Sequence, residues 1–117
     1  MNTPETSILI RTFNEEKHLP ALLASLQEQE YKDFEIVLVD SGSLDRTRDI
    51  AEPIVQKLIR IRSRDFTFGY SLNVGCKASE GRFIAMVSAH TKPVDGKWLG
   101  RLVEPLRQKT TAMSYGR

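Results

Sequence analysis

Phe34-Glu-Ile-Val-Leu-Val-Asp40-Ser-Gly-Ser-Leu-Asp45-Arg-Thr47 is the stretch that decides the fold. Its apolar centre, Ile36 to Val39, is short, continuous and rich in Val and Ile, the pattern of a strand buried on both faces. The run stops at an acid, Asp40, followed by Ser41, Gly42 and Ser43, groups that need water or a ligand. In an open α/β sheet, ligands bind just beyond the carboxyl ends of the strands. Asp40 therefore stands where such a fold keeps its chemistry.

Upstream, Ser7 to Thr12 reads as a first strand centred on Ile8, Leu9 and Ile10. Asn14, Glu15 and Glu16 make a polar turn into a helix whose Leu19, Leu22, Leu23 and Leu26 recur at helical spacing. Pro20 is tolerated only in a first turn, so this helix should begin at His18 or Leu19 and fade by Glu30. Downstream, Ser43 or Asp45 is an N-cap candidate for a second helix from Leu44 to Ile50 or beyond. Lys57 to Ile61 is a third strand, and Ser63 to Gly69 a loop carrying Phe66 and Phe68. Tyr70 to Ser79 is a short helix whose Ser71, Gly75 and Ala78 allow close approach to a sheet, with Gly81 suited to a left-handed helix end. Arg82 to Val87 is a fourth strand ending in Ser88-Ala-His90-Thr. Trp98, Leu99, Leu102, Val103 and Leu106 mark a last amphipathic helix, and Thr110 to Arg117 is a further strand or a frayed tail.

Strands that alternate with helices imply an α/β fold with three layers, α/β/α, around a mostly parallel sheet. Three polar strand ends should then face one crevice: Thr12 to Glu15, Asp40 to Ser43, and Ser88 to His90. The 117 residues suit a single domain, 1–117, and 40% hydrophobic with 27% charged residues is ordinary for a globular protein. A net charge of +2 gives no ground for a nucleic-acid partner. Arg60, Arg62 and Arg64 alternate, which favours a solvated strand face over a phosphate-binding patch. Cys76 is the single cysteine, so there is no internal disulfide, and its small apolar neighbours favour an inert buried thiol. No apolar run reaches transmembrane length and no signal-peptide pattern opens the chain. A cytoplasmic location is the default expectation, with attachment to the inner face of a membrane through partners as its variant.

Four segments in this order resemble the family 2 glycosyltransferases of GT-A fold: Ser7-Ile-Leu-Ile-Arg-Thr12-Phe-Asn14-Glu15-Glu16; Asp40-Ser-Gly-Ser43-Leu-Asp45-Arg-Thr47; Phe68-Gly69-Tyr-Ser-Leu-Asn73-Val-Gly75 with Ala78-Ser-Glu-Gly81; and Ser88-Ala-His90-Thr-Lys-Pro93. The resemblance covers nearly the whole chain. It implies a site for a nucleoside-diphosphate sugar and, beyond it, a glycan or lipid-linked acceptor, as in bacterial polysaccharide synthesis. It places Asp40 against the base, Thr12, Asn14 and Glu15 in the turn lining base and ribose, and Ser41, Gly42 and Ser88 on the same edge. Asn73 reads equally as a nucleotide contact or as a capping amide, whereas Asp45 and Thr47 read as helix support.

The fourth segment lies where the family carries an Asp-x-Asp metal motif, and here those positions are Ser88 and His90. A divalent cofactor, Mn²⁺ or Mg²⁺, is implied, with His90 as a metal ligand, a diphosphate contact or a turn residue. Its place on the site edge favours a ligand-facing role. Arg11, where the family often has Pro, reaches the phosphates or is only a strand-end charge. The family's inverting displacement needs a carboxylate base that normally lies in a second, acceptor-binding half, and no residue here has a motif for it. The chain is therefore expected to be the donor-binding half, truncated after it, binding nucleotide with little transferase activity alone and prone to dimerise through an exposed apolar surface. Two other readings are a non-catalytic nucleotide-sugar-binding module and a receiver-like signalling domain with Asp40 as phosphoacceptor. The latter has no place for the segment around Asn73.

Overall fold

The computed structural model describes residues 3–62, 67–108 and 113–115. The elements follow the order β1 (Thr6–Thr12), α1 (Leu19–Gln27), β2 (Phe34–Asp40), α2 (Thr47–Ala51), β3 (Lys57–Arg60), α3 (Phe68–Ala78), β4 (Phe83–Ser88), α4 (Trp98–Gln108) and β5 (Met113–Tyr115). Arg64, Phe66 and most of the expected loop from Ser63 lie outside the described residues, as does the chain on either side of β5.

The sheet has five strands in the order β3-β2-β1-β4-β5, and every pair is parallel. The chain runs outward from β1 through β2 to β3, then returns to β4 on the other side of β1. The order reverses between β1 and β4, which makes their carboxyl ends the switch point where a parallel sheet opens a crevice. The register fixes what stands there: Thr12 lies opposite Asp40, and Arg11 opposite Ser88.

Alternation along each strand sorts side chains between the two faces. Ile8, Ile10, Ile36 and Leu38 enter one core with α1 and α4, and Leu9, Val37, Val39 and Met86 enter a second with α3. Three layers result. The four leucines of α1 are all 1% exposed or less, each worth about 1.5–3 kcal/mol relative to an exposed position. On the second face α3 comes close because residue 75 is Gly: a Cβ there would stand 2.2 Å from Leu9 Cδ1.

Several boundaries moved for local reasons. Helix α1 stops at Gln27, before Glu30 as expected, and Gln29, 2% exposed, turns inward to bridge two helices. Its Oε1 accepts from Leu99 N at 2.9 Å and its Nε2 donates to Asp95 O at 2.9 Å, so one buried amide satisfies a first-turn N–H of α4. Helix α3 starts at Phe68, before the expected Tyr70, because Thr67 caps it by accepting from Tyr70 N at 3.0 Å. Helix α2 begins at Thr47 rather than Leu44, since the preceding side chains serve as loop ties. Gly81 was expected to be left-handed, yet Gly42 is the described glycine with positive φ. Gly81 is required for space: a Cβ there would lie 2.4 Å from Ser7 N.

That contact belongs to a polar network closing the amino end of the sheet. Ser7 Oγ accepts from Gly81 N at 2.8 Å and donates to Glu35 Oε2 at 2.5 Å. Glu35, 5% exposed, also accepts from Glu80 N at 2.7 Å and pairs with Lys57 Nζ at 3.2 Å. Burial pushes the Glu35 carboxyl up, but the hydrogen bonds from Ser7, Glu80 and Lys57 outweigh it and hold it below its ordinary value. A depressed carboxyl stabilises the fold above the ordinary glutamate pKa and loses that contribution as pH falls toward the folded value.

Glu35→Gln should therefore lower unfolding free energy in urea at neutral pH by about 1–3 kcal/mol. The gap to wild type should narrow as pH drops below about 4.3. Gly81→Ala should cost about 1–3 kcal/mol at every pH, because the added methyl meets backbone rather than a mobile side chain.

Candidate functional site

The carboxyl edge is assembled around Asp40. Its side chain is 0% exposed, and both oxygens are filled from within the chain. Oδ1 accepts from Thr12 Oγ1 at 2.8 Å and from Ser43 Oγ at 2.5 Å. Oδ2 accepts from Ser43 N at 2.8 Å and Gly42 N at 3.2 Å. Arg48 Nε lies 3.8 Å from Oδ2, an ion pair behind the turn. The backbone takes this tight path because residue 42 is Gly at φ 91°, a region costly for other residues. Asp40 was expected to face a base, but in this arrangement no face of the carboxylate is open. Its work is to lock the end of β1 to the turn after β2.

The next two motif residues extend the clasp. Asp45 Oδ1 accepts from Thr47 N at 2.9 Å and from the Thr47 hydroxyl, and Oδ2 accepts from Glu16 N at 3.2 Å. Burial raises the Asp45 carboxyl, but the hydrogen bonds from Thr47 and Glu16 prevail and lower it. Thr47 Oγ1 in turn accepts from Glu15 N at 2.8 Å. Asp45 supports the first residue of α2 through Thr47 N, although the N-cap is Arg46 without a side-chain cap rather than the expected Ser43 or Asp45, and both residues grip the turn after β1. Asn14, at φ 53°, accepts from Leu44 N through Oδ1 at 2.8 Å, while its own N–H donates to Ser43 Oγ at 2.8 Å. A left-handed Asn is unusual but tolerated. It too is a tie between two loops.

These ties leave a cavity of about 240 Å³ at the edge, lined by Arg11, Thr12, Phe13, Glu15 and Ser41. Phe13, one of these lining residues, is 51% exposed. His90 reaches the same edge from the turn after β4, with Nε2 2.8 Å from Glu15 Oε2 and its side chain 59% exposed. The His18 ring lies 4.2 Å from the His90 ring, centroid to centroid. Ser88 is exposed and accepts from His90 N at 3.2 Å, shaping that turn. Thr12, Glu15 and Ser41 thus line one cavity, and His90 adjoins it through Glu15. Asn73 is exposed on α3 and is not a lining residue of this cavity. Phe13 lies inside the first of the four family-like segments but was not singled out as a site residue, and His18 carried no motif of its own.

Among the described residues no three His, Cys, Asp or Glu side chains converge as a metal cage. The pair His90 and Glu15 can still offer two ligands. Mg²⁺ and Mn²⁺ sites often take one or two protein groups and complete their shell with water and substrate phosphates. The donor set fits an ion that arrives with a phosphorylated ligand. Cys76 is half-buried and burial pushes its thiol up, as an inert thiol requires.

The chain matches the family model described as glycosyl transferase family 2 over residues 7–117. An uncharacterized glycosyltransferase of Haemophilus influenzae is 28% identical across 98% of this chain and 36% of its own length. Residues 1–349 of TarS from Staphylococcus aureus, solved in complex with UDP-GlcNAc, superpose with a TM-score of 0.74 at 27% identity, over 89% of this chain and 31% of that one. The mannosyltransferase PcManGT from Pyrobaculum calidifontis, solved with GDP-Man and Mn²⁺, gives 0.75 at 24% identity over 88% of this chain and 32% of that one. The chain spans about a third of the length of these proteins.

Asp40→Asn should destabilise the chain by about 1–3 kcal/mol, because an amide sets an N–H against donors already pointing at that position. The check is a urea melt, with Ser41→Ala, in the same turn, staying near wild type.

Proposed function

Because the chain belongs to glycosyl transferase family 2, we propose that it forms the donor-binding part of an enzyme transferring a sugar from a nucleoside diphosphate to a glycan or lipid-linked acceptor. What carries this reading is the cavity lined by Arg11, Thr12, Phe13, Glu15 and Ser41 at the carboxyl ends of β1 and β2, with His90 joined to it through Glu15. Such a cavity offers an aromatic ring and hydroxyls to a base and ribose, and a cation to phosphates. The relative that binds UDP-GlcNAc supports a nucleoside-diphosphate sugar as the ligand class.

In this reading Thr12, Phe13, Glu15 and Ser41 meet the nucleoside, while Asp40, Asn14 and Gly42 hold that surface in place. Asn73 and Ser88 border the sugar-phosphate side. His90 and Glu15 would hold a divalent ion, which supplies positive charge to the diphosphate leaving group. The transfer is proposed as inverting. An acceptor oxygen bonds to the anomeric carbon opposite the leaving group, the carbon–oxygen bond to the diphosphate breaks, and the acceptor's proton passes to a carboxylate base. Glu15 is the one carboxylate among the described residues lining the cavity, and His90 engages it. This favours a chain that binds donor but transfers little sugar alone, close to the alternative of a nucleotide-sugar-binding module. Self-association into a homodimer belongs to the same proposal, since Ile59 and Ile84 are only half-buried on the sheet face that α3 covers. No helix among the described residues is long and apolar enough to cross a membrane.

Calorimetric titration of the chain with UDP, dTDP and GDP, each with and without Mn²⁺, tests the reading. One nucleotide should bind, and His90→Ala should remove most of any enhancement by Mn²⁺. Absence of binding to all three would sink the donor-site proposal.

A further inference from the structure

The ring of His90 is gripped from outside its own turn. Ser88 Oγ accepts the His90 backbone N–H at 3.2 Å, but the imidazole is met by the turn after β1. Glu15 Oε2 stands 2.8 Å from Nε2 at the edge of the ring. The His18 ring packs against it, with centroids 4.2 Å apart and planes tilted by 41°. These are the two histidines of the chain. An imidazole on a side chain 59% exposed would otherwise pass freely between rotamers. His18 occupies the N-cap position of α1, where Ser, Thr, Asp or Asn normally accept a helix N–H. Its side chain makes no such bond, so capping does not account for a histidine here; the contact with His90 does. The backbone holds it in that place. His18 N and Leu19 N both donate to Glu15 O, at 3.1 and 2.9 Å. Leu19 is fully buried, and Pro20 stiffens the first turn. Thr47 Oγ1 accepts from Glu15 N at 2.8 Å. Glu15 and His18 therefore belong to one tied turn and take hold of His90 together.

We propose that His18 is the positioning residue for His90: its ring fixes the rotamer that brings Nε2 to Glu15, so that the two groups stand together before an ion arrives. This rests on the reading of Glu15 and His90 as holders of a divalent ion and deepens it. The contribution of His18 is one of packing. Another flat ring in its place serves as well, and a methyl group does not. An ion then meets a pair already ordered, and the cost of immobilising a mobile imidazole is removed from its binding.

The first test is NMR of the ligand-free chain. In the wild type, NOEs should connect the two imidazole rings, and couplings to the His90 β-protons should report one rotamer. His18→Phe should keep that rotamer, and His18→Ala should average over several. Absence of the ring-to-ring NOEs, or an unchanged His90 rotamer in His18→Ala, overturns the inference. The second test is titration with UDP and GDP, in Mn²⁺ and in EDTA, which reads the gain in nucleotide affinity brought by the ion. His18→Ala should cut that gain by about two- to tenfold while affinity in EDTA stays at the wild-type value, and His18→Phe should restore it. An undiminished gain in His18→Ala, an equal loss in EDTA, or a His18→Phe variant that behaves like His18→Ala overturns the inference and leaves the ion-holding pair standing. If the wild type gains nothing from Mn²⁺, the ion-holding reading fails and this inference with it.

Discussion

The carboxylate of Asp40 is the constraint on which the functional edge depends. The end of β2 supplies the carboxylate, and the end of β1 and the following turn bring the donors: the Thr12 hydroxyl, the Ser43 hydroxyl and amide, and the Gly42 amide. A buried carboxylate is tolerated only when its oxygens are filled this way. The arrangement joins the end of β1 to the turn after β2, and Asp45, Thr47 and Asn14 repeat the same device one step further out. The turn carrying Phe13 and Glu15 owes its position to groups on another strand's loop. A site built on loops becomes defined because side chains from one loop satisfy the backbone of the other.

The two ends of the sheet solve opposite problems. At the amino end Ser7, Glu35, Lys57, Glu80 and Gly81 close on one another, and there is no space even for a methyl at Gly81. At the carboxyl end the charges are arranged so that some remain turned outward. Asp40 is consumed within the fold, while His90 and Glu15 pair at an exposed surface and Arg11 borders the cavity. Rigidity at one end and accessible polar groups at the other is what a parallel sheet with a switch point provides. Ser88 and His90 after β4 bring no carboxylate to this edge.

Much of this was legible without coordinates. The apolar runs Ile8 to Ile10, Ile36 to Val39 and Phe83 to Val87 are short, continuous and end in polar residues, so strands and the edge they share followed from composition and position alone. Leu19, Leu22, Leu23 and Leu26 showed a helix by spacing. Boundaries were less legible because side chains decided them. Helix α2 starts late since Asp45 and Thr47 bind backbone of Glu16 and Glu15 in the turn after β1, and the end of α1 is set beside a buried Gln29. Gly81 looked like a helix terminator, and its reason turned out to be a contact with Ser7, distant in sequence.

The sequence by itself determined the alternating α/β pattern, the family, and which residues arrive at the carboxyl edge, because periodicity and local chemistry are written along the chain. Only the tertiary structure decided which of them face inward. Asp40 and Ser41 are adjacent, yet one carboxylate is spent on holding the turn while its neighbour lines the cavity. His18 meets His90, and Arg11 stands across from Ser88, through the packing of segments far apart in sequence. Such pairings depend on strand order and register, which hydrophobic patterning does not encode: a core is buried equally well by several strand orders, but Arg11 meets Ser88 only in those that pair β1 with β4 in this register.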